Sequence, residues 1–142
     1  RSVPLSELNL SYRDSSIKNT DLVVEATLRL NIANKEDSEQ LLKEIVRWRR
    51  ENQPGGKNSG SVFTNPDGDS AGRLIEAAGL KGFKVGSASV SEKHANFIQV
   101  EGNGSAKDVK ELMERVIIEV KKVHSVSLTP ETICVGFDRD FS

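Results

Sequence analysis

Cysteine is nearly absent from this chain. The single residue, Cys134, cannot close an internal disulfide, so the fold has to be held by a packed core, in keeping with a reducing, cytoplasmic setting. Histidine is almost as scarce. Neither His94 nor His124 has a cysteine or carboxylate at metal-ligand spacing, which argues against a metal site. No excess of one charge sign exists either: 20 Lys and Arg stand against 21 Asp and Glu, for a net charge of -1 and a pI near 6.2. That balance excludes a nucleic-acid or membrane surface built from bulk charge. No apolar run approaches the roughly 20 residues that span a bilayer, and residues 1–20 lack the basic start and apolar stretch of a secretory signal. The P-loop and dinucleotide fingerprints are absent. Gly60-Ser61 is not a nucleophile elbow, because Phe63 stands where the closing glycine belongs. The chain opens on Arg1 rather than Met and is expected to be a piece of a longer protein.

What is present suits one α+β domain. With 142 residues, 36% hydrophobic and 29% charged, the chain is long enough to bury roughly 68% of its unfolded surface. Residues 1–20 have no sustained period and read as a tail or crossover. From Asp21 to Ile32 the apolar positions Leu22, Val24, Ala26, Leu28, Leu30 and Ile32 alternate with mostly polar ones, which predicts a half-buried strand. Ser38 then offers an N-cap to a helix carrying Leu41, Leu42, Ile45, Val46 and Trp48. Arg47, Arg49 and Arg50 close that helix, either as a phosphate-binding cluster or as a solvated end that complements the dipole. Residues 51–60, with Pro54, Gly55, Gly56 and Gly60, predict a loop.

Farther along, Asp69 or Ser70 caps a short helix that stops at Gly79. The segments 83–90 and 96–101 predict a hairpin-like pair around the turn 91–95. Ser105 and Asp108 resemble a capping box before the longest apolar stripe: Val109, Leu112, Met113, Val116, Ile117, Val120 and Val123. Ile133-Cys134-Val135 predicts a core strand, with Cys134 as a small core residue rather than a nucleophile. His124 reads as a dipole partner or a solvated side chain. The expected architecture is a small mixed sheet packed by about three helices.

Groups able to do chemistry concentrate between Asn58 and Asn96. A loop from Ser59 to Pro66 presents a hydroxyl, an amide and backbone N–H groups, and His94 sits in a polar turn with Ser91, Glu92, Lys93 and Asn96. Polar loops between short ordered elements are where binding groups usually lie. Local sequence alone leaves His94 open between a functional residue and a surface turn.

A set of motifs carries a resemblance along most of the chain: Tyr12-Arg13-Asp14-Ser15, Gln53-Pro54, Gly60-Ser61-Val62-Phe63-Thr64-Asn65-Pro66, Ala71-Gly72-Arg73-Leu74-Ile75-Glu76, Ala78-Gly79-Leu80-Lys81-Gly82, Val90-Ser91-Glu92-Lys93-His94-Ala95-Asn96-Phe97 and Pro130-Glu131. In order and spacing these resemble the UDP-N-acetylmuramate dehydrogenase family, also called UDP-N-acetylenolpyruvoylglucosamine reductase, and within it the C-terminal substrate-binding domain.

The resemblance implies a flavoenzyme of peptidoglycan precursor synthesis. In it NADPH reduces FAD, and the flavin passes hydride to the enolpyruvyl group of a UDP-sugar, giving UDP-N-acetylmuramate. It further implies that Ser61 supplies the completing proton and that Arg13 and Glu131 stabilise the enol. Tyr12, Asn65 and His94 fall where the family binds substrate. The family's FAD-holding loops are expected upstream of Arg1. On that expectation residues 1–32 are a remnant of the flavin-binding domain and 33–142 the substrate-binding domain, with neither cofactor bound by this chain alone and the N-terminal flavin-binding domain as its partner. The competing expectation is a module that binds UDP-sugars or another partner without catalysis.

Overall fold

The computed structural model describes residues 1–18 and 20–137. Contacts divide the chain into two compact units, Arg1–Glu39 and Gln40–Ser142. In the first, a 3-10 turn at Leu5–Glu7 is followed by a tight turn in which Ser11 and Asp14 exchange backbone hydrogen bonds of 3.0 and 3.4 Å. The Ser16 N–H donates to the Leu8 carbonyl at 2.8 Å, and the Ser16 hydroxyl to the Glu7 carbonyl at 2.7 Å. These bonds give the 1–18 segment more local order than an unstructured tail.

The strand expected over 21–32 does not form. Those residues have no regular secondary structure, and Leu22, Leu28, Leu30 and Ile32 are exposed. Alternation creates a face that can be buried, but a strand exists only through its ladder partner. No partner strand pairs with this segment among the described residues. Helix α1 spans Lys35–Asn52, starting ahead of the predicted Ser38 cap. Asn34 takes that role: its Oδ1 accepts from the Asp37 N–H at 3.2 Å, while Ser38 lies inside the helix and bonds back to the Asn34 carbonyl. None of its residues is buried, so Leu41, Leu42, Ile45, Val46 and Trp48 form an apolar face in the open.

The sheet has four strands: β1 (Asn58–Ser61), β2 (Lys84–Val85), β3 (Ala88–Val90) and β4 (Phe97–Val100). Their order is β1-β4-β3-β2 and every pairing is antiparallel. The α+β class holds, whereas a mixed sheet does not, since short turns join β2 to β3 and β3 to β4 and allow only antiparallel neighbours. The predicted 83–90 strand is itself split by a turn at Gly86-Ser87 into β2 and β3, and the predicted loop over 51–60 contains the start of β1.

Helix α2 (Ala71–Ala77) begins at the Ser70 cap, whose hydroxyl accepts from the Arg73 N–H. Gly79 follows at φ +74°, the left-handed conformation that ends helices. Helix α3 (Ala106–His124) buries Leu112, Met113, Val116 and Val120 against α2, β2 and β3. Together with Val62, Phe63, Leu74, Ile75, Val90 and Leu128 they make the core, each fully buried aliphatic contributing about 1.5–3 kcal/mol. Val123, expected in the stripe, is exposed. His124 is neither solvated nor only a dipole partner: its Nε2 lies 3.1 Å from the Leu74 carbonyl and ties α3 to α2.

Ser105 caps α3 by accepting from the Lys107 N–H at 3.1 Å, but Asp108 does not close a capping box. Its carboxylate accepts instead from the Ser87 N–H at 2.8 Å and the Ser87 hydroxyl at 2.6 Å, and Ser87 Oγ in turn accepts from the Ser105 N–H. Those two bonds from Ser87 hold the Asp108 carboxyl below its ordinary range. The β2–β3 turn is thereby fastened to the start of α3. The core strand expected at Ile133–Val135 is also absent: Ile133 and Val135 are exposed and Cys134 only half-buried. Three apolar residues in a row do not suffice where no sheet edge receives them.

The core and the open face of α1 give opposite expectations for truncation. Leu112→Ala should lower unfolding free energy by about 2–5 kcal/mol, whereas Leu41→Ala should change it by no more than about 0.5 kcal/mol. Urea unfolding of both variants checks this.

Candidate functional site

The site is assembled around the segment that leaves β1. The four residues of β1 from Asn58 to Ser61 face three of β4, Phe97 to Gln99, since Asn58 pairs with Gln99 and Ser61 with Phe97. The extra residue makes a bulge, and Gly60 occupies it at φ +83°. A Cβ there would meet nothing, so glycine is required by the backbone conformation and not by space. Bulges re-aim the side chain that follows, and here that side chain is the exposed Ser61.

Beyond Ser61 the chain enters the core. Val62 and Phe63 are buried, and both peptides are held from two directions. The Val62 N–H donates to the Asn96 carbonyl at 2.9 Å, and the Val62 carbonyl accepts from the Glu131 N–H at 2.8 Å and the Thr132 N–H at 3.3 Å. Thr64 donates its N–H to the Thr129 carbonyl at 3.0 Å and its hydroxyl to the same oxygen at 3.3 Å. Glu131, far from Ser61 in sequence, thus bonds through its backbone to the residue that follows Ser61.

The buried Asn96 side chain closes the second connection. Its Oδ1 accepts from the Phe63 N–H at 3.0 Å, and its Nδ2 donates to the Phe63 carbonyl at 2.8 Å. Asn96 ends a turn arranged by Ser91, also buried, whose hydroxyl oxygen accepts from the Lys93 and His94 N–H groups. Lys93 reaches the other way and donates to the Arg50 carbonyl in the last turn of α1. His94 is half-buried; its Nδ1 accepts from the Asn96 N–H at 3.2 Å, and Phe97 meets its ring edge-on at 4.9 Å between centroids.

Asn65 joins this group through α2. Its Oδ1 accepts from the Ala71 N–H at 3.1 Å, while the next residue, Gly72, faces the His94 ring. The first turn of α2 therefore has Asn65 on one peptide and His94 beside the following one. Arg73 in the same helix is engaged by Asp69, with Nε donating to Oδ1 at 2.6 Å and a second bond between Nη2 and Oδ2. The Arg73 guanidinium, followed by the Ser70 N–H, draws the Asp69 carboxyl down to about 2.

Of the sequence-identified positions, Ser61 and Asn65 bracket the Val62–Thr64 segment, the Glu131 N–H bonds to the Val62 carbonyl, and Asn65 and His94 both meet the first turn of α2. Tyr12 and Arg13 lie in the first unit, in the Ser11–Asp14 turn. Arg13 adopts φ +56°, a conformation unusual for a non-glycine residue, and its guanidinium lies 5.8 Å from the Tyr12 ring centre. Sequence reading missed the part played by Asn96, by Gly72 and by the Gly60 bulge. The signals available were a buried-looking asparagine before an apolar strand and a glycine inside a strand pattern.

Among the described residues no group of three or more His, Cys, Asp and Glu is placed to hold a metal ion, and no helix is long and apolar enough to cross a membrane. The helix starts are filled by the protein itself: Asn65 and Ser70 take N–H groups of α2, and Ser105 takes that of Lys107 in α3.

Residues 52–135 match the family described as UDP-N-acetylenolpyruvoylglucosamine reductase, C-terminal domain. The UDP-N-acetylenolpyruvoylglucosamine reductase of Clostridium beijerinckii is 45% identical over 140 residues, covering 97% of this chain and 46% of that protein. That of Nitrosococcus oceani is 44% identical over 131 residues, covering 92% of this chain and 44% of that protein. A crystal structure of UDP-N-acetylenolpyruvylglucosamine reductase from Thermus caldophilus superposes with a TM-score of 0.74 at 40% identity, over 87% of this chain and 44% of that one. The chain spans about half the length of these relatives.

If the Asn96 carboxamide carries the site's geometry, Asn96→Ala should cost about 1–3 kcal/mol in unfolding free energy, the penalty for leaving buried polar groups unpaired. Hydrogen exchange at the Phe63 amide should accelerate with it. Unchanged exchange at Phe63 would contradict this account.

Proposed function

The chain belongs to the UDP-N-acetylenolpyruvoylglucosamine reductase family, whose C-terminal domain it carries, and from that premise we propose that it is the substrate-binding part of a reductase that converts UDP-N-acetylglucosamine enolpyruvate to UDP-N-acetylmuramate. On this reading FAD and NADPH engage the flavin-binding domain of the full-length enzyme, of which residues 1–32 are a remnant, and the enzyme works in the cytoplasm on a peptidoglycan precursor. The family supports oxidoreductase chemistry in peptidoglycan synthesis. The observation that supports the residue-level reading is the backbone bond from the Glu131 N–H to the Val62 carbonyl, which brings the Glu131 backbone next to the residue after Ser61 across most of the domain's sequence.

The chemistry asks for that proximity. Once the β-carbon of the enolpyruvyl group has accepted hydride, its π electrons pass to the α-carbon and the attached carboxylate as an enolate. Polar groups fixed at that end favour the transition state over the ground state, because charge develops there only during reaction. Glu131 and Arg13 are assigned to this end. Ser61 is the proton source for the carbanion. A serine hydroxyl is a very weak acid and gives up its proton only to a strong base, and an enolate carbon is one. The Gly60 bulge lies immediately before Ser61, whose side chain is exposed. Asn65, His94 and Tyr12 are assigned to holding the substrate.

Two measurements test the reading. In a protein that joins this chain to its flavin-binding domain, Ser61→Ala should leave reduction of FAD by NADPH nearly intact and slow substrate reduction by about 10²–10⁴-fold, the usual contribution of a positioned general acid. Stopped-flow rates of the two half-reactions decide it; small, equal effects on both would make Ser61 a structural residue. For the 142-residue chain by itself, calorimetry with the UDP-sugar should show weak binding through the Ser61–Asn65 loop. Absence of heat at millimolar ligand, with the domain folded, would count against a substrate-binding role.

A further inference from the structure

His94 has a fixed hydrogen-bonding polarity. A backbone N–H can only donate, so the 3.2 Å bond from the Asn96 N–H to Nδ1 requires Nδ1 to carry a lone pair. The neutral ring's proton is then on Nε2. Among the described residues Nε2 has no hydrogen-bond partner, yet no buried polar side-chain atom is left unsatisfied; Nε2 therefore reaches solvent. The ring's orientation is set on two sides. Phe97 meets it edge-on, and Cε1 and Nδ1 lie against Gly72.

That last contact gives Gly72 a purpose. A Cβ at Gly72 would come to 3.2 Å from His94 Cε1, 3.6 Å from Nδ1 and 3.7 Å from Asn96 Cβ. The first distance is closer than ordinary van der Waals contact, so the ring would have to shift by a few tenths of an ångström. Gly72 sits in the first turn of α2 at an ordinary φ, where alanine is the better helix former. Helix stability and room for the ring therefore favour different residues at this position.

We propose that Gly72 and Asn96 are positioning residues that hold His94 as the Nε2–H tautomer, presenting Nε2 outward as a hydrogen-bond donor to an acceptor oxygen of the ligand rather than as a proton acceptor. The ligand side of this rests on the reading of the site given above; the tautomer and its supports do not. Asn96 serves twice, since its side chain fastens the Phe63 peptide beside Ser61 while its backbone N–H sets the His94 ring. The segment that leaves Ser61 and the His94 ring are thereby held by one residue.

Nitrogen NMR on the 142-residue chain tests it at a pH where the ring is neutral. The wild-type spectrum should show a proton on Nε2, a bare Nδ1, and a scalar coupling across the hydrogen bond between Asn96 N and His94 Nδ1. Gly72→Ala should lose that coupling while the urea midpoint stays equal or rises, a combination that general loss of structure does not produce. A proton on Nδ1 in the wild type, or an unchanged coupling in Gly72→Ala, would overturn the proposal. Titration with UDP-N-acetylglucosamine then separates the two layers. Shifts at His94 Nε2 in the wild type, weakened about tenfold in affinity by Gly72→Ala as for one lost hydrogen bond, support the donor role. Shifts in the Ser61–Asn65 loop without any at His94 refute that role, and no shifts anywhere, with the coupling intact, refute the UDP-sugar reading but leave the tautomer standing.

Discussion

The buried carboxamide of Asn96 is the contact on which the site depends. It meets the N–H and carbonyl of Phe63 at once, doing for a strand end what the next rung of a ladder would do. Beyond Ser61 the sheet no longer supplies regular partners, because β1 ends there, yet Val62 and Phe63 continue into the core. Two backbone groups buried without partners would each cost about 1–3 kcal/mol. The side chain removes that cost and fixes where the segment runs. Replacing it with an apolar residue of equal size would keep the volume and lose both bonds.

From that contact the remaining geometry follows by short steps. Phe63 held in place puts Val62 opposite Glu131 and Thr64 opposite Thr129, which docks the 128–132 segment, anchored by buried Leu128, along the far side. The same residue's backbone orients His94, and His94 packs on Gly72 of α2, whose neighbouring N–H is taken by Asn65. Helix α3 has a separate duty. It closes the core beneath the sheet and is pinned at its start by Asp108 to the Ser87 turn, away from the residues assigned to chemistry. Stability and site geometry overlap at Val62, Phe63 and Leu128, which belong to the core, and at Asn96, which joins them to the His94 turn.

The apolar patterns of 21–32 and α1 mark the limit of reading amphipathicity as burial. Both segments carry the periodicity, and α1 forms a helix as predicted, yet neither buries the residues that define it. A helix satisfies its own backbone, so α1 forms without a partner face. A strand cannot, so 21–32 remains irregular. Ile133–Val135 fails for the same reason, as no sheet edge receives it.

The sequence by itself determined the α+β class, the Ser70 and Ser105 caps, the stop at Gly79, the stripe of α3 and the motifs that place the chain in its family, because each rests on interactions within a few residues. It also marked Ser61, Asn65, His94 and Glu131 as candidates. Only the tertiary structure decided that Glu131 bonds next to Ser61, that Asp108 reaches Ser87 rather than its own cap, that Gly60 makes a bulge and that Asn96 and Gly72 lie against the His94 ring. Those facts depend on pairs such as Phe63 with Asn96 and Val62 with Glu131, whose separation along the chain leaves no periodic trace in it.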